Sequence, residues 1–389
     1  MFRVKPLVAS IVAVQVASFV ANLSFVTFLP DMAMVTVVAV MSLFGVISAG
    51  VSSNITAKIY SHTAAGDDPS QLARMALRLL LMEQVAAVAV ALFLPLLGLE
   101  ALKEVATWQL FLLALLASNA STLAFTKYRN RYLLRLNLVR ATVTITRAAV
   151  IHAVAALGAA QLIIPIIIMS LVPTFGYPLL VALRQACTVT SAKMPVPLGV
   201  SLREYLLGIP VSVIRSITNQ GMVILAVEVL SPQDLRLFRF LLLPKDIFNR
   251  LFNAALPIVF DKLYLYRLDR RVTLGIMCGS AVIGALWFWI GLETIGGTWQ
   301  PVGVFVVFLA LNATVYSVLP IMWRTVHRNR AGLNIIATLA TAGLTLVTYL
   351  LVRPQGLQGL FGLMSVYYLS YILAMLVIYR LETREEGRQ

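Results

Sequence analysis

Apolar runs of about twenty residues recur along this chain, each long enough to cross the hydrocarbon core of a bilayer as a helix. Inside lipid no water is available to the backbone, so a spanning segment must bond its own amides and carbonyls. For runs of this length that means α-helix. Composition agrees: 60% of the 389 residues are hydrophobic and 12% are charged, against about 25% charged in a soluble protein. The chain reads as an all-α polytopic membrane protein with spans near 7–29, 32–57, 75–97, 106–126, 138–158, 161–183, 205–230, 235–260, 272–292, 300–321, 332–352 and 357–379. That makes about twelve, or ten if the segment 138–158 is not a span. The start "MFRVKPLVASIVAVQVASFVANLSFV" has too long an apolar run for a signal-peptide core, so it is expected to be a retained first span.

The net charge of +15 is not that of a nucleic-acid binder, because the cations are dispersed between apolar runs. Twenty-three of the 31 Lys and Arg fall on one set of connections and at the two termini, two fall on the other set (Lys103 and Arg353), and six lie inside spans. Positive charge resists translocation, so both termini and the longer loops are expected in the cytoplasm. Cys187 and Cys278 form no CxxC and are read as free thiols without a metal or disulfide role.

A polar connection divides the chain near its middle. The expected organisation is an N-lobe of spans one to six over 1–190, a cytoplasmic linker over 191–204, and a C-lobe of spans seven to twelve over 205–389. Short echoes link the halves. Lys58-Ile59-Tyr60 follows span two and Lys262-Leu263-Tyr264 follows span eight, while Arg-Asn-Arg stands at 129–131 after span four and at 328–330 after span ten. Two six-span halves share one orientation, so the repeats are expected to be parallel, with substrate bound between them.

The segment "LRLFRFLLLPKDIFNRLFNAALPIVF", Leu235–Phe260, has membrane length yet holds Arg236, Arg239, Lys245, Asp246 and Arg250. Five charges near a helix centre cost roughly 15 kcal/mol on the insertion scale, more than its apolar residues return. These charges must therefore face protein or water. At 100° per residue, Arg236, Arg239, Leu243, Asp246, Arg250 and Asn253 share one stripe. Lys245 lies off it unless Pro244 re-aims the helix. A cationic ladder suits an aqueous path for an anion. The bland alternative is an Asp246–Arg250 pair at i, i+4. Arg215 near the middle of span seven, with Asn219 one turn on, extends the cationic lining or pairs with Asp246. Arg147 in span five either joins it or continues the cytoplasmic basic face. Gln15, Ser18 and Asn22 in span one are neutral and equally suited to helix–helix bonding.

Carboxylates within spans are few. Glu83, Asp246 and Glu228 are the coupling candidates for an ion or proton, with Glu83 also readable as a structural hydrogen-bonder. No P-loop, paired-histidine or nucleophile motif is present, so no catalytic residue, metal or cofactor is expected and the chain is not read as an enzyme. Energy for transport then comes from an ion gradient or the substrate's own.

Three stretches resemble one family. "GVSSNITAKIYSHTAAGDDPSQLARMALRLLL", with Gln71-Leu72-Ala73-Arg74 opening span three, is similar to the corresponding region of bacterial polysaccharide transporters. These are the Wzx-type lipid-linked oligosaccharide (O-antigen) flippases of the multidrug/oligosaccharidyl-lipid/polysaccharide (MOP) exporter superfamily. "LPIVFDKLYLYRLDRR" with Pro257 resembles their exit from span eight, and "GLQGLFGLMSVYYLSYILAMLVIYRL" their Gly-spaced entry into span twelve, here Gly356, Gly359 and Gly362. The turn "LPDMAM" departs from the family in lacking glycine. The resemblance implies twelve helices in two lobes around a cationic cavity. It implies movement of a polyprenyl-pyrophosphate-linked glycan from the inner to the outer leaflet of a bacterial inner membrane. The partners it implies are membrane lipids, the lipid-linked glycan, and a polysaccharide polymerase or glycosyltransferases. Guanidinium groups bind phosphate oxygens bidentately, which suits such a substrate. The alternatives are a cation-coupled multidrug exporter of the same superfamily, which would need more intramembrane carboxylates, and a membrane glycosyltransferase or polymerase, which would need a large acidic outer loop.

Overall fold

The computed structural model describes residues 4–51, 81–92, 95, 105–116, 129–187, 216, 220–259, 269–327 and 331–386. Every regular element among them is helical. They are α1 (Val4–Phe28), α2 (Asp31–Val51), α3 (Leu81–Leu92), α4 (Thr107–Leu116), α5 (Arg129–Ala156), α6 (Ile163–Cys187), α7 (Met222–Val229), α8 (Pro232–Val259), α9 (Arg270–Ile295), α10 (Val302–His327), α11 (Ala331–Val352) and α12 (Gly356–Glu386). A 3₁₀ turn, Ala160–Leu162, leads into α6. Among the described residues, eight helices are long and apolar enough to span a bilayer, while α3 and α4 are shorter apolar helices. α8 has membrane length at 28 residues but carries charges along it.

The ends follow from local chemistry. "SPQD" starts α8: Ser231 Oγ accepts from the Asp234 amide at 3.1 Å and donates to Asp234 Oδ2 at 2.8 Å. Pro232 sits at the first helical position, where no amide partner is lost. Asp269 caps α9 by accepting from the Arg271 amide at 2.8 Å. Between α11 and α12, Gly356 takes φ +63°, and a Cβ on Gly359 would lie 2.9 Å from Pro354 Cα. The first two glycines of "GLQGLFG" thus have steric reasons: one permits the turn and the other the return of the chain over it.

Two compact units are present, Met1–Glu228 and Val229–Gln389. Several helix pairs pack alike in the two. α2 touches α4 and α6 as α8 touches α10 and α12, α4 touches α6 as α10 touches α12, and α5 touches α6 as α11 touches α12. Ser216 donates to the Val46 carbonyl at 2.9 Å, and Gln220 packs close enough to Gly45 that a Cβ there would meet it at 3.0 Å. The approach to α7 therefore packs on α2 in the first unit.

Helix directions are legible from cross-contacts. Ser10 meets Asn137 and Ser24 meets His152, so α1 and α5 run the same way. Phe238 meets Phe361 and Lys245 meets Tyr368, while Phe305 meets Phe361 and Arg324 meets Glu382. α8, α10 and α12 therefore run together. α9 opposes them, with Trp287 beside Phe240 and Leu237 beside Gly297. This is the alternation expected of consecutive spans. Outward faces are apolar, with Val282 62% and Leu351 79% exposed, as lipid requires.

Candidate functional site

The second unit is layered along its axis. Towards the N-terminal ends of α8, α10 and α12 lies an aromatic cluster, with Phe238, Phe288, Phe305, Phe308 and Phe361 all fully buried and centroids 5.1 to 6.0 Å apart. Further along comes an aliphatic cluster that includes Ile321, Met322, Met375 and Ile378. Between the two is a polar layer, built where α8, α10 and α12 face each other.

α8 supplies the charges of that layer. Lys245 and Asp246 stand at the middle of the 28-residue helix. Lys245 is only 3% exposed, and its Nζ lies 6.0 Å from the centroid of the Tyr368 ring, a cation–π arrangement. Arg239 Nη2 is 3.8 Å from Asp246 Oδ2, two turns along one face of α8, with the side chains 16% and 26% exposed. Tyr316 of α10 donates to Asn249 Oδ1 of α8. Asn312, one turn before Tyr316, is 1% exposed, and its side-chain oxygen has no partner among the described residues.

Arg239 and Asp246 share a face as the helical period requires and lie close enough to pair; the Asp246–Arg250 alternative involves a side chain outside the described residues. Lys245 is the most deeply buried of these charges, because residues 240–245 are enclosed on every side. Arg236 is half-buried. Arg250 lies within α8, but its side chain lies outside the described residues, as do Arg215 and Asn219.

Among the described residues of the first unit, neutral polar groups join α1 to α5. Asn137 donates to Ser10 Oγ at 3.1 Å, and His152 Nε2 lies 3.0 Å from Ser24 Oγ, both across the α1–α5 seam. The Gln15 side-chain oxygen on α1 is buried without a partner among the described residues. Arg147 is half-buried on α5, near the middle of the apolar stretch Leu134–Ala156 rather than at its end. Glu83 is 1% exposed on α3, and Glu228 is half-buried at the end of α7.

The expectation that Glu83, Asp246 and Glu228 are the intramembrane carboxylates omits Glu382. Its side chain is fully buried, and Oε2 lies 3.5 Å from Nε of Arg324, itself 5% exposed. The Arg324 guanidinium also sits 5.9 Å from the Tyr379 ring centroid. The omission has a simple cause. The apolar run reads as ending span twelve near residue 379, whereas α12 continues to Glu386. The signal in the sequence was an Arg and a Glu at matching depths of two spans running the same way.

No protein-family model and no curated protein sequence matches the chain. Its fold is found in solved structures. One is the inward-facing conformation of a multidrug resistance MATE family transporter of the MOP superfamily, with TM-score 0.57 at 12% identity, covering 96% of this chain and 95% of that one. Another is the lipid II flippase MurJ in its inward closed conformation, with TM-score 0.55 at 12% identity, covering 96% of this chain and 87% of that one. At that identity the likeness concerns the fold. The chain is an all-helical, multi-pass membrane protein with the fold shared by a MATE transporter of the MOP superfamily and the flippase MurJ.

Proposed function

We propose that this protein is a flippase of the bacterial inner membrane, similar to the Wzx type. It moves an anionic polyprenyl-pyrophosphate-linked oligosaccharide from the inner to the outer leaflet by alternating access. The observation that carries this reading is the charge on α8: Lys245 and Asp246 lie at mid-helix, with Arg239 about two turns before them, in a segment of membrane length. Charge at that depth is costly and marks a substrate path more often than a structural need. Its sign favours an anion, and guanidinium suits a pyrophosphate. MurJ, which has the same fold, is a lipid II flippase.

Arg239 and Arg250 serve as successive stations for the pyrophosphate on this reading. Arg236, Arg215, Asn219 and Arg147 add contacts, and Asp246 keeps the ladder from holding the anion too tightly. Glu83, Glu228 and Asp246 are the candidates for coupling to an ion or proton. Both termini lie in the cytoplasm, and polymerase or glycosyltransferases act on the glycan beside it. The test is deletion in the native host: lipid-linked glycan should accumulate on the cytoplasmic leaflet and return to the outer leaflet on complementation. Unchanged leaflet distribution sinks the reading. The likeness to a MATE family transporter supports a second reading, cation-coupled multidrug export. Deletion would then raise drug susceptibility and leave lipid-linked glycan untouched.

A further inference from the structure

Pro244 stands inside α8 immediately before Lys245 and Asp246. Proline has no amide hydrogen, so the carbonyl four residues earlier, that of Phe240, loses its helical donor. Residues 240–245 are enclosed by protein, where a carbonyl without a partner is costly. α9 provides one. Trp287 Nε1 donates to the Phe240 carbonyl at 3.0 Å, and the indole stacks on the Phe240 ring at 4.8 Å with 13° between planes. Gly291, one turn further along α9, lets the helices approach: a Cβ there would lie 3.1 Å from Phe240 Cδ1 and 3.3 Å from Leu237 Cδ1.

We propose that Trp287 is a positioning residue whose indole N–H replaces the amide that Pro244 withholds. It pins α8 at the point where the helix's own hydrogen-bond ladder is broken. The bond fixes the direction in which Lys245 and Asp246 leave that break. Its bearing on transport rests on the flippase reading above; the bond itself does not.

The test is a double-mutant cycle on the full chain purified in detergent, read by thermal unfolding. Trp287→Phe keeps an aromatic ring on Phe240 and deletes the donor. Pro244→Ala restores an amide to the Phe240 carbonyl. Trp287→Phe should lower the midpoint by roughly 2–4 °C in the otherwise native chain and leave it unchanged in the Pro244→Ala background. An equal drop in both backgrounds, or none in either, overturns the proposal, because ring packing alone gives additive effects. Should Pro244→Ala fail to fold, hydrogen–deuterium exchange at the Trp287 indole decides: protection supports the bond and rapid exchange overturns it. Trp287→Phe should also slow glycan export in cells. If deletion of the whole protein leaves glycan untouched, the flippase reading fails while the cycle still decides the bond.

Discussion

The two units share several helix pairings, such as α2 with α6 and α8 with α12, but differ in the polar groups described in each. In the first, the α1–α5 seam is joined by neutral groups: Asn137 to Ser10 and His152 to Ser24. In the second, α8 holds Lys245 and the Arg239–Asp246 pair, and a further buried pair, Arg324–Glu382, joins α10 to α12. Neutral hydrogen bonds between spans are tolerated wherever two helices touch. Charges are tolerated only where protein partners surround them or water reaches them. The difference teaches that packed spans can be joined either by neutral hydrogen bonds or, where protein encloses them, by charged groups.

The largest effect is expected at the buried pair. Arg324→Leu leaves the Glu382 carboxylate enclosed without its cation and should cost about 3–5 kcal/mol, read as a loss of thermal stability in detergent. Replacing both members by leucine should recover most of that loss. A double variant as unstable as the single one would show that Arg324 acts through packing rather than charge.

Next comes the charged layer itself. Arg239→Gln should reduce glycan export about tenfold at native protein levels, equivalent to about 1.4 kcal/mol, and Arg239→Lys should recover part of it because charge is kept while the guanidinium fork is lost. Arg147→Gln in the first unit should have a smaller effect. Equal losses at the two positions would erase the contrast between the units, and normal export by the Arg239→Gln protein would make the α8 charges structural.

A smaller effect, about 1 kcal/mol of stability, is expected for Ser10→Ala, which removes the acceptor for Asn137. Export should be unaffected once protein levels are matched; an export defect would move the first unit's seam from passive to functional. Lipid-facing changes such as Val282→Leu should alter stability by less than about 0.5 kcal/mol, and a larger shift would mean that this face is covered by protein.

Much of the fold is legible in the sequence. Span positions follow from apolar length, because a segment in lipid must close its own hydrogen bonds and helix is the solution available within one segment. The "SPQD" start of α8 and the glycine-rich entry to α12 are local chemistry, written in consecutive residues. Alternating direction followed from short connections, and α1 with α5 and α8 with α12 agree with it.

The candidate site was legible in composition and not in arrangement. The charges of α8 were evident, since each is an anomaly against its own neighbours. Helical period alone put Arg239 and Asp246 on one face but could not place Lys245, whose burial depends on Tyr368, more than a hundred residues away. Glu382 was hidden because its partner lies on another helix and hydropathy counts residues one span at a time. Trp287 carried no signal, because the carbonyl that it serves belongs to Phe240, across a helix pair. What a residue does within its own helix is set by neighbours three and four positions away, and sequence determines that. What satisfies a buried charge, or a carbonyl orphaned by proline, is set by whichever helix packs against it, and only the tertiary structure decides that.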